Sequence, residues 1–131
     1  MIALDTNVLV RYLVGDEPGQ AKRAREAVDQ ARSNRQPIFL SQIVLCELVW
    51  VLAGAYQASK MDIQSTLYRL LDDRAFELEN PPGVHRAIDR FARGPADFSD
   101  YLLGDVALEA GASATFTFDR ALRDEPGFSI L

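Results

Sequence analysis

The 131 residues contain one histidine and one cysteine, and that scarcity removes several chemistries at the outset. A lone cysteine, Cys46, closes no internal disulfide and fits a reducing compartment. Its neighbours Ile43, Leu45, Leu48 and Val49 predict a buried thiol. The lone histidine, His85, lies on a helical segment with Arg86 and Asp89 close by, where an exposed surface role is expected. It builds neither a zinc site nor a Ser-His-Asp triad. Long apolar runs are missing as well. The nearly unbroken stretch from Ile43 to Ala53 carries Glu47 and is too short to span a bilayer, so no membrane association is expected. A basic surplus is also absent, with 14 Lys and Arg against 19 Asp and Glu and a net charge of −5. That balance argues against a protein that grips nucleic acid by bulk electrostatics, so any such reading must account for the acids. Met1 leads straight into an apolar strand with no basic leader, so export is not expected and the expected location is the cytoplasm.

What is present reads as one α/β domain over residues 1–131. Hydrophobic residues make up 48% and charged residues 25%, enough to bury a single sizeable core. Ile2–Leu4, Ile38–Leu40 and Ala114–Phe118 are predicted as buried strands, with Phe76–Glu79 as an alternating strand at a sheet edge and a short final strand at Phe128–Leu131. Helices are predicted between them. The first runs from Asn7 to Val14, capped by Thr6 and closed by Gly15. The second starts at Pro18 and carries the stripe Ala21, Ala24, Val28 and Ala31, ending near Ser33-Asn34. Ser41 caps a very apolar helix, Gln42–Tyr56, and Asp62 caps the next, which runs to about Asp73. Val84–Phe91 is amphipathic, and Asp97 caps a helix that closes at Gly111. Strand alternating with helix implies a parallel sheet with helices on both faces.

In such a sheet the carboxyl ends of the strands share one edge, where sites are built. Asp5 follows the first strand and Asp119 follows Phe118, so the two can meet if their strands are neighbours. Glu47 has apolar residues at every helical neighbour, Ile43, Val44, Trp50 and Val51. An ionised carboxylate there is expected to lose hydration, at a cost of several kcal/mol unless a cation or strong donors compensate. Asp97 and Asp100 both suit a helix start, where the macrodipole favours acids, and either fits a carboxylate position. Asp105 lies off their line and is expected to face water. Converging carboxylates without histidine or a cysteine pair suit hard cations, Mg²⁺ or Mn²⁺. Such a site attracts phosphate only once the cation is bound, which answers the charge objection. Thr6 serves either as a cap or as a hydroxyl beside that site.

Four segments then carry a resemblance: Leu4-Asp5-Thr6-Asn7, Glu47-Leu48-Val49-Trp50-Val51-Leu52, Asp97-Phe98-Ser99-Asp100 and Thr115-Phe116-Thr117-Phe118-Asp119-Arg120. In this order they resemble PIN domains, and specifically the VapC-like toxin half of VapBC-type toxin–antitoxin pairs, over essentially the whole chain. The resemblance implies a PIN-like three-layer α/β/α fold with a central parallel sheet of four to five short strands. It implies a metal-dependent endoribonuclease whose acidic quartet is Asp5, Glu47, Asp100 and Asp119, holding Mg²⁺ or Mn²⁺, with Thr6 and Thr117 as supporting hydroxyls. The motif assigns the ligand to Asp100, and Asp97 remains a possible supporting acid. RNA as substrate, a homodimer, and a cognate antitoxin protein clamped on the Gln42–Tyr56 and Asp62–Asp73 helix pair follow from the same likeness.

Two other readings stand beside it. A PIN-like module could bind RNA or protein without turnover, although all four acids are present. A receiver-like Mg²⁺-binding signalling domain would need a phosphoacceptor aspartate ending a central strand and a lysine ending a late one. The strands end instead in Leu40-Ser41 and Asp119-Arg120. Arg11, Lys22, Arg23, Arg25, Arg86, Arg90 and Arg93 are the candidates for guiding phosphate.

Overall fold

A computed structural model describes every residue from Met1 to Leu131. The chain divides into two compact units, Met1–Pro81 and Pro82–Leu131.

The first unit alternates strand and helix. Its elements are β1 (Ile2–Ala3), α1 (Thr6–Val14), α2 (Pro18–Ser33), β2 (Ile38–Leu40), α3 (Gln42–Gly54), α4 (Lys60–Asp72) and β3 (Phe76–Leu78). The strands form one parallel sheet in the order β1-β2-β3, with Ile2 opposite Ile38, Ile38 opposite Phe76, and Leu40 opposite Leu78. Ile38, Leu40, Phe76 and Leu78 are buried together with Leu9, Leu45, Leu48, Leu67 and Leu70. Because parallel strands need a crossover, each is followed by helix, and the helices bring their apolar stripes to the same core. On α2 that stripe is Ala21, Ala24, Val28 and Ala31, all buried. Its small side chains let α2 pack closely on α1. As expected, β3 lies at the edge of its sheet.

In the second unit are α5 (Pro81–Arg93, apart from its first residue), α6 (Phe98–Glu109), β4 (Thr115–Thr117), a 3₁₀ turn at Arg120–Leu122 and β5 (Phe128–Ile130). Strand β4 pairs in parallel with β5, Thr115 opposite Phe128 and Thr117 opposite Ile130. Val84, Ala87, Ile88, Phe91, Phe98, Tyr101, Leu102 and Leu122 are buried. The Phe91 and Phe98 rings meet edge-on, 6.2 Å apart.

Several local expectations are corrected. Asp5, not Thr6, caps α1, its Oδ1 accepting from the Val8 amide at 3.0 Å. Ser59, not Asp62, caps α4, its hydroxyl accepting from the Asp62 amide at 3.1 Å. In both places the helix begins one or more residues earlier than the apolar pattern shows, because the first turn carries polar residues. Cys46 is half-buried rather than buried, on a helix whose exposed side is itself apolar. Ala3 is exposed, and so are Phe116 and Phe118, in segments expected to be buried strands. Apolar composition therefore overstated burial at three positions. No helix is long and apolar enough to cross a membrane.

Candidate active site

In the first unit, Asp5 follows β1 and is exposed, and its cap bond to the Val8 amide fixes the carboxylate against the start of α1. The next residue, Thr6, donates from Oγ1 to Oε1 of Glu47 at 3.2 Å. Glu47 reaches this point from α3, whose start after β2 is set by the Ser41 hydroxyl accepting from the Val44 amide at 3.1 Å. Strand-end logic thus brings Glu47 to the residue beside Asp5. The environment expected for Glu47 is corrected, however. It is exposed, because the face it occupies, with Ile43 71% and Trp50 53% exposed, points to solvent. The apolar neighbours read from helical spacing are real, but they are not a core.

In the second unit, Asp97 and Asp100 close a reciprocal capping box at the start of α6. The Asp97 amide donates to Asp100 Oδ2 at 3.0 Å, and Asp97 Oδ1 accepts from the Phe98 amide at 2.9 Å. An aspartate thus fills the position where Glu or Gln is usual. Burial raises the Asp100 carboxyl above its ordinary range, the amide of Asp97 works against this, and the charges of Asp97 and Asp119 push it further up. Asp119 is therefore close enough to be felt by Asp100. Asp119 caps the 3₁₀ turn, accepting from the Ala121 amide at 2.9 Å, and its own amide donates to the Thr117 hydroxyl at 3.0 Å. Thr117 thus braces the segment that carries Asp119.

The ladders join β1 only to β2, and β4 only to β5. No group of three or more His, Cys, Asp or Glu side chains is arranged to hold a metal ion. None of Asp5, Glu47, Asp100 and Asp119 forms an ion pair, a property they share with Glu17, Asp29, Asp62, Asp72, Glu77 and Glu79, whereas Asp16, Asp73, Asp105 and Glu125 are each paired with arginine. Carboxylates and hydroxyls are the hard oxygen donors that Mg²⁺ or Mn²⁺ prefers. Like charge left uncompensated at Asp100 is the condition a cation relieves, so the chemistry of these acids suits such an ion.

A PIN domain model matches residues 2–126. The chain belongs to the PIN domain family. Its six α-helices and parallel strand pairing are consistent with the three-layer α/β/α fold of a PIN domain. It is also similar to a protein of Aquifex aeolicus (strain VF5) named VapC ribonuclease, with 26% identity over 123 residues, 94% of this chain and 90% of that protein.

Three further residues of this PIN domain are placed by the structure. Asp105 does not face water as expected. It is 14% exposed and takes an ion pair from Arg90 at 2.7 Å, with Arg86 at 3.9 Å. Arg90 also reaches Glu125 at 3.4 Å and lies over the Tyr101 ring, so neither it nor Asp105 is free to serve a ligand. His85 is exposed beside Asp89, as expected. Gln20 was not singled out from the sequence. It holds the Arg11 guanidinium by its Nε at 2.7 Å, a contact that only the packing of α2 on α1 creates.

Proposed function

We propose that this PIN domain, residues 1–131, is a metal-dependent endoribonuclease and the toxin component of a toxin–antitoxin pair in the cytoplasm. Asp5, Glu47, Asp100 and Asp119 are its metal-binding acids. The observation that carries the reading is the hydrogen bond from the Thr6 hydroxyl to Oε1 of Glu47 at 3.2 Å, which brings an acid of α3 to the residue beside Asp5. The similarity to a protein named VapC ribonuclease supports the choice of RNA and of toxin.

Bound Mg²⁺ or Mn²⁺ would supply an activated water and offset charge developing on the phosphodiester. The chain's own part is to present oxygen ligands without rearrangement. The Val8 amide holds Asp5, the Thr6 hydroxyl orients Glu47, and the Ala121 amide and Thr117 hydroxyl hold Asp119. Asp97 acts in support, its amide fixing the Asp100 carboxylate.

The partner is a cognate antitoxin seated on α3 and α4, where Ile43, Trp50 and Met61 are exposed large apolar side chains. Such a patch is characteristic of a protein interface. The family likeness further supports a homodimer.

The test is direct. The purified chain, free of partner, should cleave RNA in Mg²⁺ or Mn²⁺ and stop in EDTA. Asp5→Asn should abolish cleavage with an unchanged circular dichroism spectrum. Retained cleavage in that variant overturns the assignment.

A further inference from the structure

An open cavity of about 360 Å³ lies between α1 and α2, and Asp5 forms part of its wall. Its polar lining is otherwise Asn7, Arg11, Gln20 and Arg23, above a floor that includes Ala24. The alanines that let α2 approach α1 also leave this space unfilled.

The two guanidinium groups are held differently. Arg11 is half-buried and clamped along one edge. Its Nε donates to Gln20 at 2.7 Å, and its Nη1 lies 3.5 Å from both Asp16 and the Tyr56 hydroxyl. The Tyr56 hydroxyl in turn donates to Asp16 at 2.8 Å, which locks the clamp. Nothing in the chain engages Nη2 of Arg11. Arg23 is exposed, one turn along α2 from Gln20, and no carboxylate pairs with it. A preorganised fork beside an uncompensated one is a donor arrangement suited to phosphate oxygens.

Asp5 at the same cavity narrows the choice of anion. A small free anion bound by the arginines would sit near a carboxylate with nothing gained from it. A polyanionic strand would place one phosphate at the arginines and the next beside Asp5, where the proposed cation offsets the acid. We infer that this cavity is a phosphate subsite, in which Arg11 and Arg23 take the RNA backbone phosphate adjoining the one that is cut. The inference rests on the nuclease reading and adds to it the residues that set the strand's register.

The test uses a fluorescein-labelled, mixed-sequence single-stranded RNA. Its affinity is measured by anisotropy in EDTA across a salt series, in an Asp5→Asn background that removes the acid a cation would otherwise offset, and cleavage by the wild-type chain is measured separately in Mg²⁺. Arg23→Ala should weaken binding roughly five- to tenfold and reduce the salt slope by about 0.7, the value for one phosphate contact on a single strand. Arg25→Ala removes the same charge from the same helix but lies off the cavity, and should change both much less. Arg11→Lys keeps the charge and loses the fork, so it should weaken binding with little change in slope. Thermal melts confirm that each variant folds. If Arg23→Ala and Arg25→Ala are indistinguishable, or if the Asp5→Asn chain fails to bind at low salt while wild type cuts in Mg²⁺, the subsite is wrong and the nuclease reading stands. If the Asp5→Asn chain does not bind and wild type does not cut, both fall.

Discussion

The Thr6 hydroxyl donates a 3.2 Å hydrogen bond to Oε1 of Glu47, across 41 residues of sequence. It ties the turn after β1 to the middle of α3 and gives Thr6 a role other than the helix cap, which Asp5 fills. Residues that orient metal-binding carboxylates typically carry tenfold to a hundredfold effects, so Thr6→Val should lower kcat/KM by about that factor. Thr6→Ser should restore most of it. The contact is exposed, so the melting temperature should hardly move. Equal activity in Thr6→Val would show that Glu47 needs no such support.

Metal binding has its own readout. Asp100 is held above its ordinary range by burial and by the charges of Asp97 and Asp119. A carboxyl raised in the folded state destabilises the fold as pH rises through its folded value. In EDTA at neutral pH, Asp100→Asn should therefore melt above wild type, and the difference should shrink on acidification. Adding Mn²⁺ should raise the melting temperature of wild type by mass action, and of Asp100→Asn much less. Differential scanning fluorimetry with and without the ion checks both statements.

A second carboxylate shows the opposite sign. The Arg32 guanidinium meets Asp73 in a fork, Nη1 to Oδ1 at 2.9 Å and Nη2 to Oδ2 at 2.6 Å, and Asp73 also accepts from the Ala75 amide. Chiefly through Arg32, and against the effect of burial, the Asp73 carboxyl lies below its usual 3.8. Its stabilisation is fully present above that value and is lost as pH falls through the lower folded one. Asp73→Asn should accordingly cost stability at pH 7 and little at the acid end. Both groups are partly exposed, so the difference should be about 1 kcal/mol or less, read from urea midpoints across pH 2 to 6.

The ion cluster around Arg90 is a structural feature and should behave as one. Arg90 Nε already lacks a partner while buried, and Asp105 supplies the shortest contact to the group. Asp105→Ala strands a partly buried cation and should cost about 1–3 kcal/mol, somewhat below the range for a fully buried pair. The urea midpoint should fall. The effect of divalent cations on stability should stay as in wild type, which separates Asp105 from the candidate metal-binding acids.

Antitoxin binding can be tested apart from catalysis. Trp50→Ser on the exposed side of α3 should leave RNA cleavage intact and weaken neutralisation by the cognate antitoxin at least tenfold. A loss of about 2 kcal/mol is usual for a buried aromatic anchor at an interface. Undiminished neutralisation would move the partner off α3.

The order and type of the elements, the parallel pairing, the placing of Asp5 and Asp119 just after strands, and the placing of Glu47 on the helix after β2 were all legible in the sequence. Period-2 and period-3.6 patterns, the caps at Ser41 and Asp97, the breaker at Gly15 and the helix start at Pro18 are local signals, and local signals survive without a fold. Three things were decided only by tertiary structure. Glu47 has apolar neighbours along α3, but whether they face a core or water depends on what packs against that side, and here Ile43 and Trp50 stay largely exposed. Asp105 reads as an idle surface acid until α5 brings Arg90 to within 2.7 Å of it. The cavity between α1 and α2 is lined by Arg11 and Gln20, nine residues apart, which meet across the two helices. Residue spacing determines which side of an element a group occupies. What lies opposite that side is determined by long-range packing, and only the folded chain shows it.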